Sequence, residues 1–106
     1  MALKIEPDGT ENVMEPESTR EGFHTQTLEK AVGGHIEIVT LPRLVEHEGE
    51  QYYAIICDEN GKRKNLNVND RATVLWAEAH GVPVGSLGDY LVGTVLFVKK
   101  REVTQG

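Results

Sequence analysis

The amino-acid sequence predicts an α+β fold in which two helices pack on one face of a mainly antiparallel sheet. Three observations support this class. Several short runs alternate apolar and polar residues, as half-buried strands do. Clusters of glycine, proline, asparagine and aspartate separate these runs, as turns require. Ala72, Leu75, Trp76 and Ala79 recur at the i, i+3, i+4 and i+7 spacing of a helix face. The predicted order is β-β-α-β-β-β-α-β.

Length and composition indicate one α+β domain over residues 1–106. The chain has 39% hydrophobic and 26% charged residues, which is ordinary for a soluble domain. Its net charge of −6 disfavours nucleic-acid phosphate and anionic membranes as partners, because both attract basic surfaces. No apolar run approaches the ~20 residues of a membrane span, and no signal-peptide pattern is present. We therefore expect a cytoplasmic protein.

The first third of the chain predicts a hairpin, a loop and a helix. Residues 2–6 alternate as a strand, and a Pro-Asp-Gly turn returns residues 12–15 as its partner. Residues 16–24 are rich in glutamate and predict a solvated acidic loop. Thr25–Val32 predicts a short helix, which its first residue caps and a Gly-Gly pair ends.

The middle of the chain predicts a second hairpin. His35–Leu41 alternates as a strand rich in isoleucine, valine and threonine, and Pro42 ends it. Tyr52–Cys57 is the most continuous apolar run and predicts the central strand. Asp58–Gly61 has the composition of a hairpin turn, so Lys62–Val68 is predicted to return beside the central strand. We interpret the basic residues of this predicted strand, Lys62, Arg63 and Lys64, as its solvated edge.

The last third predicts a helix and the final strand. Asp70–His80 is the helix, with Asn69 as its cap and Gly81 as its stop. Tyr90–Val98 alternates with both faces apolar, which favours an interior strand. Residues 99–106 predict a frayed tail. The predicted core consists of Leu3, Ile5, Leu28, Val32, Ile36, Ile38, Ile55, Leu75, Trp76, Val95 and Phe97.

The first candidate site is the polar cluster at the start of the second helix. A helix amino terminus offers free N–H groups and partial positive charge, and an arginine there adds a guanidinium fork. Such a cluster can hold a phosphate or a carboxylate. The alternative is structural, because the same residue types cap helices and face water. The candidate ligand-binding residues are Asn67, Asn69, Asp70, Arg71 and Thr73.

Other chemistry-bearing residues form no recognised motif. Glu46-His47-Glu48 contains metal-ligand types, but adjacent residues of an extended chain point to opposite sides. Cys57 lies in an apolar run, which favours a small buried hydrophobe over a nucleophile. Trp76 lies on the inner helix face and is interpreted as core. The sequence has no phosphate-binding loop or nucleophile elbow, so we expect no catalytic residues, metal or cofactor.

Three short motifs together resemble a known family. They are Val32–Glu37 leading into a strand, Asn69–Leu75 opening a helix and Val92–Val95 in the last strand. In this order they resemble domain-of-unknown-function family 3846, small proteins of phages, plasmids and bacteria. The resemblance covers most of the chain and departs from the family at the longer acidic segment of residues 16–22. It implies no assigned reaction, and it implies a mobile-element context, where small accessory proteins often bind a host factor or signalling molecule.

Three functional hypotheses follow from these observations. The first is a non-enzymatic accessory binding module that acts through a host protein or through self-association, in the host cytoplasm if a phage encodes it. The second is a small-ligand protein that captures a nucleotide or another anion at the Asn69–Thr73 helix start. The third, ranked last, is a hydrolase or nuclease that uses glutamate and histidine side chains of the loops. Its carboxylates, such as those of Glu46 and Glu48, show no organising spacing.

Overall fold

Across the residues that the structure describes, the fold consists of five strands, two helices and a short 3₁₀ helix. The computed structural model describes residues 1–103. In chain order the elements are β1 (Ala2–Ile5), β2 (Glu11–Met14), α1 (Thr25–Val32), β3 (Ile36–His47), β4 (Glu50–Asp58), α2 (Asp70–Ala79), β5 (Val95–Val98) and a 3₁₀ helix (Lys100–Glu102). The strands form one antiparallel sheet in the order β2-β1-β5-β4-β3. The predicted α+β class is therefore confirmed.

The two helices lie on opposite faces of the sheet, so the prediction that they share one face is wrong. Phe97 of β5 belongs to the apolar cluster that includes Leu75 of α2. Its neighbour Leu96 points the other way and belongs to the cluster that includes Leu28 of α1. Because both faces of the central strands are apolar, each face needs its own cover. The result is a three-layer arrangement with the sheet in the middle.

The strand predicted over Lys62–Val68 does not form. After β4 the chain passes through consecutive turns, and Asn65 adopts a left-handed φ of 62°. Only Val68 makes a ladder contact there, as an isolated antiparallel bridge to Val92. The β3–β4 hairpin already supplies the neighbour of β4 on one side, and β5 takes the other side. The returning segment therefore has no free strand edge beside β4.

The tight hairpin turn lies instead between β3 and β4. Glu48 and Gly49 connect the strands, with φ angles of 52° and 84°, and His47 pairs with Glu50. Two consecutive positive φ angles give a two-residue turn the twist that antiparallel strands need. The polar composition of residues 46–50 is equally typical of an exposed loop, so composition alone does not indicate this turn.

Strand β3 continues past Pro42, where the sequence predicted its end. The strand lies at the edge of the sheet, where a missing N–H breaks no ladder bond. Its register shifts between Thr40 and Val45, and such a bulge bends a strand. The hairpin tip thereby reaches across to β2 at the opposite edge, with His47 Nε2 lying 2.9 Å from Glu11 Oε1.

Most of the predicted core is buried, with three exceptions. Ile36 and Trp76 are partly buried against the two clusters, and Ile38 on the edge strand is 41% exposed. An edge strand has a neighbour on one side only, so its outer side chains receive less cover. The remaining predicted core residues are buried, namely Leu3, Ile5, Leu28, Val32, Ile55, Leu75, Val95 and Phe97.

The carboxyl-terminal segment is packed as far as it is described. Val103 and Glu102 are both buried, and the Glu102 carboxylate lies 2.6 Å from the amino group of Met1. Gly22 of the acidic loop forms an isolated antiparallel β-bridge with Val103. Its neighbour Phe23 packs in the apolar cluster that includes Leu28 of α1. The structure places residues 99–103 against the rest of the fold, the fraying of the tail stays a prediction, and residues 104–106 lie outside the described residues. Across the described chain no helix has the length and apolar character needed to cross a membrane.

Candidate ligand-binding cleft

Asn69, one of the five residues predicted to bind a ligand, is fully buried and bonded within the protein. Its Oδ1 accepts a hydrogen bond from the Ala72 amide at 3.1 Å, which confirms the predicted helix cap. Its Nδ2 donates to the carbonyls of Ile5 at 2.9 Å and Gly93 at 2.8 Å. This side chain therefore ties the start of α2 to β1 and to the segment that precedes β5.

The other four predicted site residues divide between interior and surface. The Thr73 hydroxyl is buried, donates to the Asn69 carbonyl at 2.8 Å and accepts from the Leu91 amide at 2.9 Å. Arg71 is exposed, and its Nε donates to a Glu11 carboxylate oxygen at 3.0 Å. Asn67 and Asp70 are exposed. None of the five lines the cleft described next, and anion binding at this helix start stays a prediction.

A cleft of about 360 Å³ opens beside α2, between the end of β4 and the loop that leads to β5. Strand β3 supplies one wall and β4 the floor, and the turn after β4 and the loop before β5 form the rim. The floor is apolar and the rim is charged. The lining residues used below are Glu37, Val39, Ile55, Cys57, Asp58, Glu59, Lys62, Arg63, Trp76, Asp89, Tyr90, Leu91 and Val92.

Two aromatic side chains face this cleft from different elements. Trp76 on α2 is partly buried, in edge contact with the His80 ring at a centroid distance of 5.7 Å. Its indole Nε1 is buried and has no hydrogen-bond partner within residues 1–103. Tyr90, in the loop before β5, is exposed, and the Lys62 ammonium lies 4.8 Å from the centre of its ring. A buried donor without a partner is uncommon in folded proteins and needs a specific explanation.

The lining of the cleft carries an excess of carboxylates. Glu37, Asp58, Glu59 and Asp89 line the cleft, against Lys62 and Arg63. Lys62 forms an ion pair with Asp89, and its hydrogen bond holds the pKa of Asp89 below the usual range. Asp58 is held 2.6 Å from the ammonium of a lysine outside the cleft, Lys64.

Cys57 lies in the floor of the cleft as a neutral thiol. Burial raises its pKa to about 11, and the nearby carboxylates of Glu37 and Asp58 add to the shift. A thiol with so high a pKa holds very little thiolate at neutral pH and is a poor nucleophile. The sequence interpretation of a small buried hydrophobe therefore describes its surroundings correctly.

A second cluster of polar groups lies at the tip of the β3–β4 hairpin. Donor atoms of Glu11, His47 and Glu48 lie within 4.8 Å of one another, so these residues could share a metal ion. The left-handed φ of Glu48 and the arrival of Glu11 from β2 create this cluster, which sequence spacing does not show. Arg71 and His47 already bind the two oxygens of Glu11, and the guanidinium charge disfavours a cation there. The cluster therefore acts as an ionic tie between β2, the hairpin and α2.

The cleft combines residues that sequence reasoning had treated separately or missed. Trp76 was interpreted only as core, and Lys62 only as part of a solvated edge. Tyr90 was predicted to begin the last strand, which begins at Val95 instead, and Asp89 was assigned no role. The available signal was the glycine-rich loop between α2 and β5, since binding residues concentrate on loops carried by a rigid scaffold.

Comparisons with known proteins place the chain in a family without an assigned activity. No curated protein and no solved structure matches this chain. A family model described as a domain of unknown function, DUF3846, matches residues 1–105. This match confirms the resemblance drawn from the three motifs, of which the first ends α1 at the left-handed Gly33 and the second carries the Asn69 cap. The chain therefore belongs to the DUF3846 family.

Proposed function

We propose that this protein is a non-enzymatic binding module and that its ligand binds in the cleft between Trp76 and Tyr90. The cleft itself carries the proposal, because about 360 Å³ is enough for a small molecule or for one or two side chains of a partner. An apolar floor with a few polar groups at the rim is the usual composition of such sites.

The chemistry of the lining supports binding rather than catalysis. The thiol of Cys57 is protonated at neutral pH, and the carboxylates of Asp58 and Asp89 are paired with lysines. No histidine is among the residues that line the cleft. The lining therefore offers no poised nucleophile with an adjacent base, the arrangement that covalent catalysis requires.

The contacts at the start of α2 make that helix end a weaker candidate for the ligand. Asn69 and Thr73 use their polar atoms inside the protein. An anion at Arg71 would have to displace Glu11, whose carboxylate already binds the guanidinium. We therefore propose that this chain, as an accessory module of a phage or mobile element, binds its ligand in the cleft. The candidate ligands are a segment of a host protein and a second copy of the chain.

Ligand binding can be followed through Trp76, because it is the only tryptophan of the chain. Purified protein is titrated with amines, nucleotides and short basic or acidic peptides, with intrinsic fluorescence and calorimetry as readouts. We expect one of these classes to change Trp76 emission and to release or absorb heat. Tyr90→Ala should weaken that binding at least ~10-fold, since aromatic contacts dominate many binding sites.

Val84→Ala provides the matched control, because Val84 is an exposed apolar residue outside the cleft-lining set in the same loop. It should leave the affinity unchanged. Equal binding by wild-type protein and Tyr90→Ala would contradict the proposed site. A second copy as the ligand would appear as a concentration-dependent dimer in sedimentation, which Tyr90→Ala should weaken.

A further inference from the structure

The geometry of the rim points to an organic cation, an ammonium or guanidinium group on a flexible chain, as the ligand of the cleft. This inference rests on the proposed function and names its ligand class. The same chemistry occurs in free amines and in the lysine or arginine side chain of a partner protein.

Lys62 provides an internal example of this recognition. Its ammonium lies 4.8 Å from the centre of the Tyr90 ring and forms an ion pair with Asp89. A cation between an aromatic face and a carboxylate receives attraction from the ring quadrupole and from the negative charge together. Tyr90 and Asp89 are consecutive residues of one loop, so the rim presents this pair as a unit.

Lys62 is held weakly enough for a ligand to replace it. The side chains of Lys62 and Asp89 are 50% and 49% exposed. Exposed ion pairs contribute little to stability, because solvent screens the charges and two flexible side chains must be held still. The Lys62 ammonium can therefore turn into water at small cost when another cation arrives. In this arrangement Lys62 competes with the ligand rather than binding it.

The rest of the cleft suits the chain that carries the cation. Val39 and Leu91 give the cleft apolar surface below the rim, against which the methylene groups of a lysine, an arginine or a polyamine can pack. The indole of Trp76 adds a second aromatic wall. Long cationic side chains commonly bury their stems on such surface while the charged head stays at the rim.

Charge also favours a cation over a nucleotide. Besides Asp58 and Asp89, which are paired with lysines, the lining includes Glu37 and Glu59 against the single Arg63. Glu59 lies 3.7 Å from the imidazole of His35, which is outside the lining. The whole chain carries a net charge of −6, which attracts cations and repels anions over about a Debye length. A nucleotide would bring further negative charge to this lining.

The experiment uses the full chain at low ionic strength, with putrescine, arginine methyl ester, a Lys/Arg nonapeptide, a matched Glu nonapeptide and adenosine monophosphate as probes. We expect the cationic probes to bind, and their affinity to fall as salt is raised. Asp89→Asn and Tyr90→Ala should each weaken this binding at least ~10-fold. Lys62→Ala should strengthen it about 3–10-fold, because the internal competitor is gone.

Lys100→Ala is the matched control for Lys62→Ala. It removes the same charge, and Lys100 also lies over a tyrosine ring, that of Tyr53, outside the cleft. A similar gain from both variants would mean that net charge alone is responsible, and would overturn the inference. A loss of cation affinity in Lys62→Ala would also overturn it. Circular dichroism of each variant verifies that the fold is kept.

The probe set separates this inference from the proposed function. Binding of the Glu peptide or of the nucleotide, sensitive to Tyr90→Ala, would keep the cleft as the site and overturn the cation as its ligand. The absence of binding by every probe would contradict the proposed function itself. Putrescine binding as tightly as the basic peptide would identify a free amine as the source, and binding of the peptide alone would identify a basic segment of a partner.

Discussion

At the scale of single residues, one side chain can have a local role and a long-range role together. Asn69 was predicted as a helix cap, and its Oδ1 performs that role by accepting from the Ala72 amide. The other end of the same amide donates to carbonyls of Ile5 and Gly93, which are 64 and 24 positions away. Local sequence patterns predict the cap but not those partners, because the arrangement of strands in the sheet determines which carbonyls lie near Asn69.

The substitution Asn69→Ala should lower the free energy of unfolding by about 3 kcal/mol, because it leaves buried backbone groups without partners. Its effect should exceed that of an ordinary exposed cap, which is about 1 kcal/mol. Urea denaturation followed by circular dichroism measures the difference. Arg71→Ala is the control, since its exposed ion pair should contribute less than about 1 kcal/mol. Equal losses from the two variants would refute the structural role of Asn69.

At the scale of elements, helical periodicity was a reliable guide, whereas turn composition was right for the Pro-Asp-Gly turn between β1 and β2 and wrong after β4. Helix α1 spans the predicted Thr25–Val32, although Thr25 begins it and no side chain caps it. Helix α2 begins at the predicted Asp70. The turn-like Asp58–Gly61 leads into further turns rather than a hairpin. Many tetrapeptides have turn composition, and whether a strand follows depends on a free edge in the sheet.

The loop before α1 is anchored by a close approach that only glycine allows. Gly22 has a φ of 81°, and a Cβ there would lie 2.4 Å from the Glu102 carbonyl oxygen. Gly22→Ala should therefore lower stability by about 2 kcal/mol or more beyond its backbone strain, since overpacking of backbone is not relieved by a rotamer change. Thermal and urea unfolding check this expectation.

Gly9 offers a matched comparison for this substitution. Its φ is 91°, and a Cβ there would meet nothing within 4 Å. Gly9→Ala should therefore report backbone strain alone, about 1 kcal/mol. If the two variants unfolded at the same urea concentration, the contact between the loop and the carboxyl-terminal segment would contribute nothing to the free energy of unfolding.

At the scale of the whole molecule, the sheet is closed at one end by an ionic tie between its outer strands. Glu11 of β2 binds His47 at the tip of the β3–β4 hairpin and Arg71 of α2. The strands that carry Glu11 and His47 are at opposite edges of the sheet. The bulge in β3 makes this contact possible, because it bends the hairpin over the face that α2 covers.

This tie predicts a pH dependence of stability. The hydrogen bond from His47, with the help of Arg71, holds the pKa of Glu11 below its usual 4.5. A carboxylate with a depressed pKa stabilises the folded state above its unfolded pKa, and that stability is lost as pH falls through the folded pKa. Unfolding free energies between pH 7 and pH 3 should therefore fall less steeply in Glu11→Gln than in the wild-type protein.

The control for this prediction is Glu78→Gln on the exposed face of α2. It removes one exposed carboxylate without touching the contacts of Glu11, so an equal change of acid slope in both variants would be an effect of net charge. An unchanged acid slope in Glu11→Gln would show that the contact between the sheet edges does not contribute to folding stability.

The sequence by itself determined the α+β class, the ranges of the short helices and the cap at Asn69, because these follow from periodicities and hydrogen bonds that act within a few residues. Through three short motifs it also indicated the DUF3846 family. The tertiary structure alone decided that the helices take opposite faces and that Trp76, Tyr90 and Lys62 meet at one cleft. These residues come from separate segments, and only the packing of α2 and two loops against the sheet brings them together.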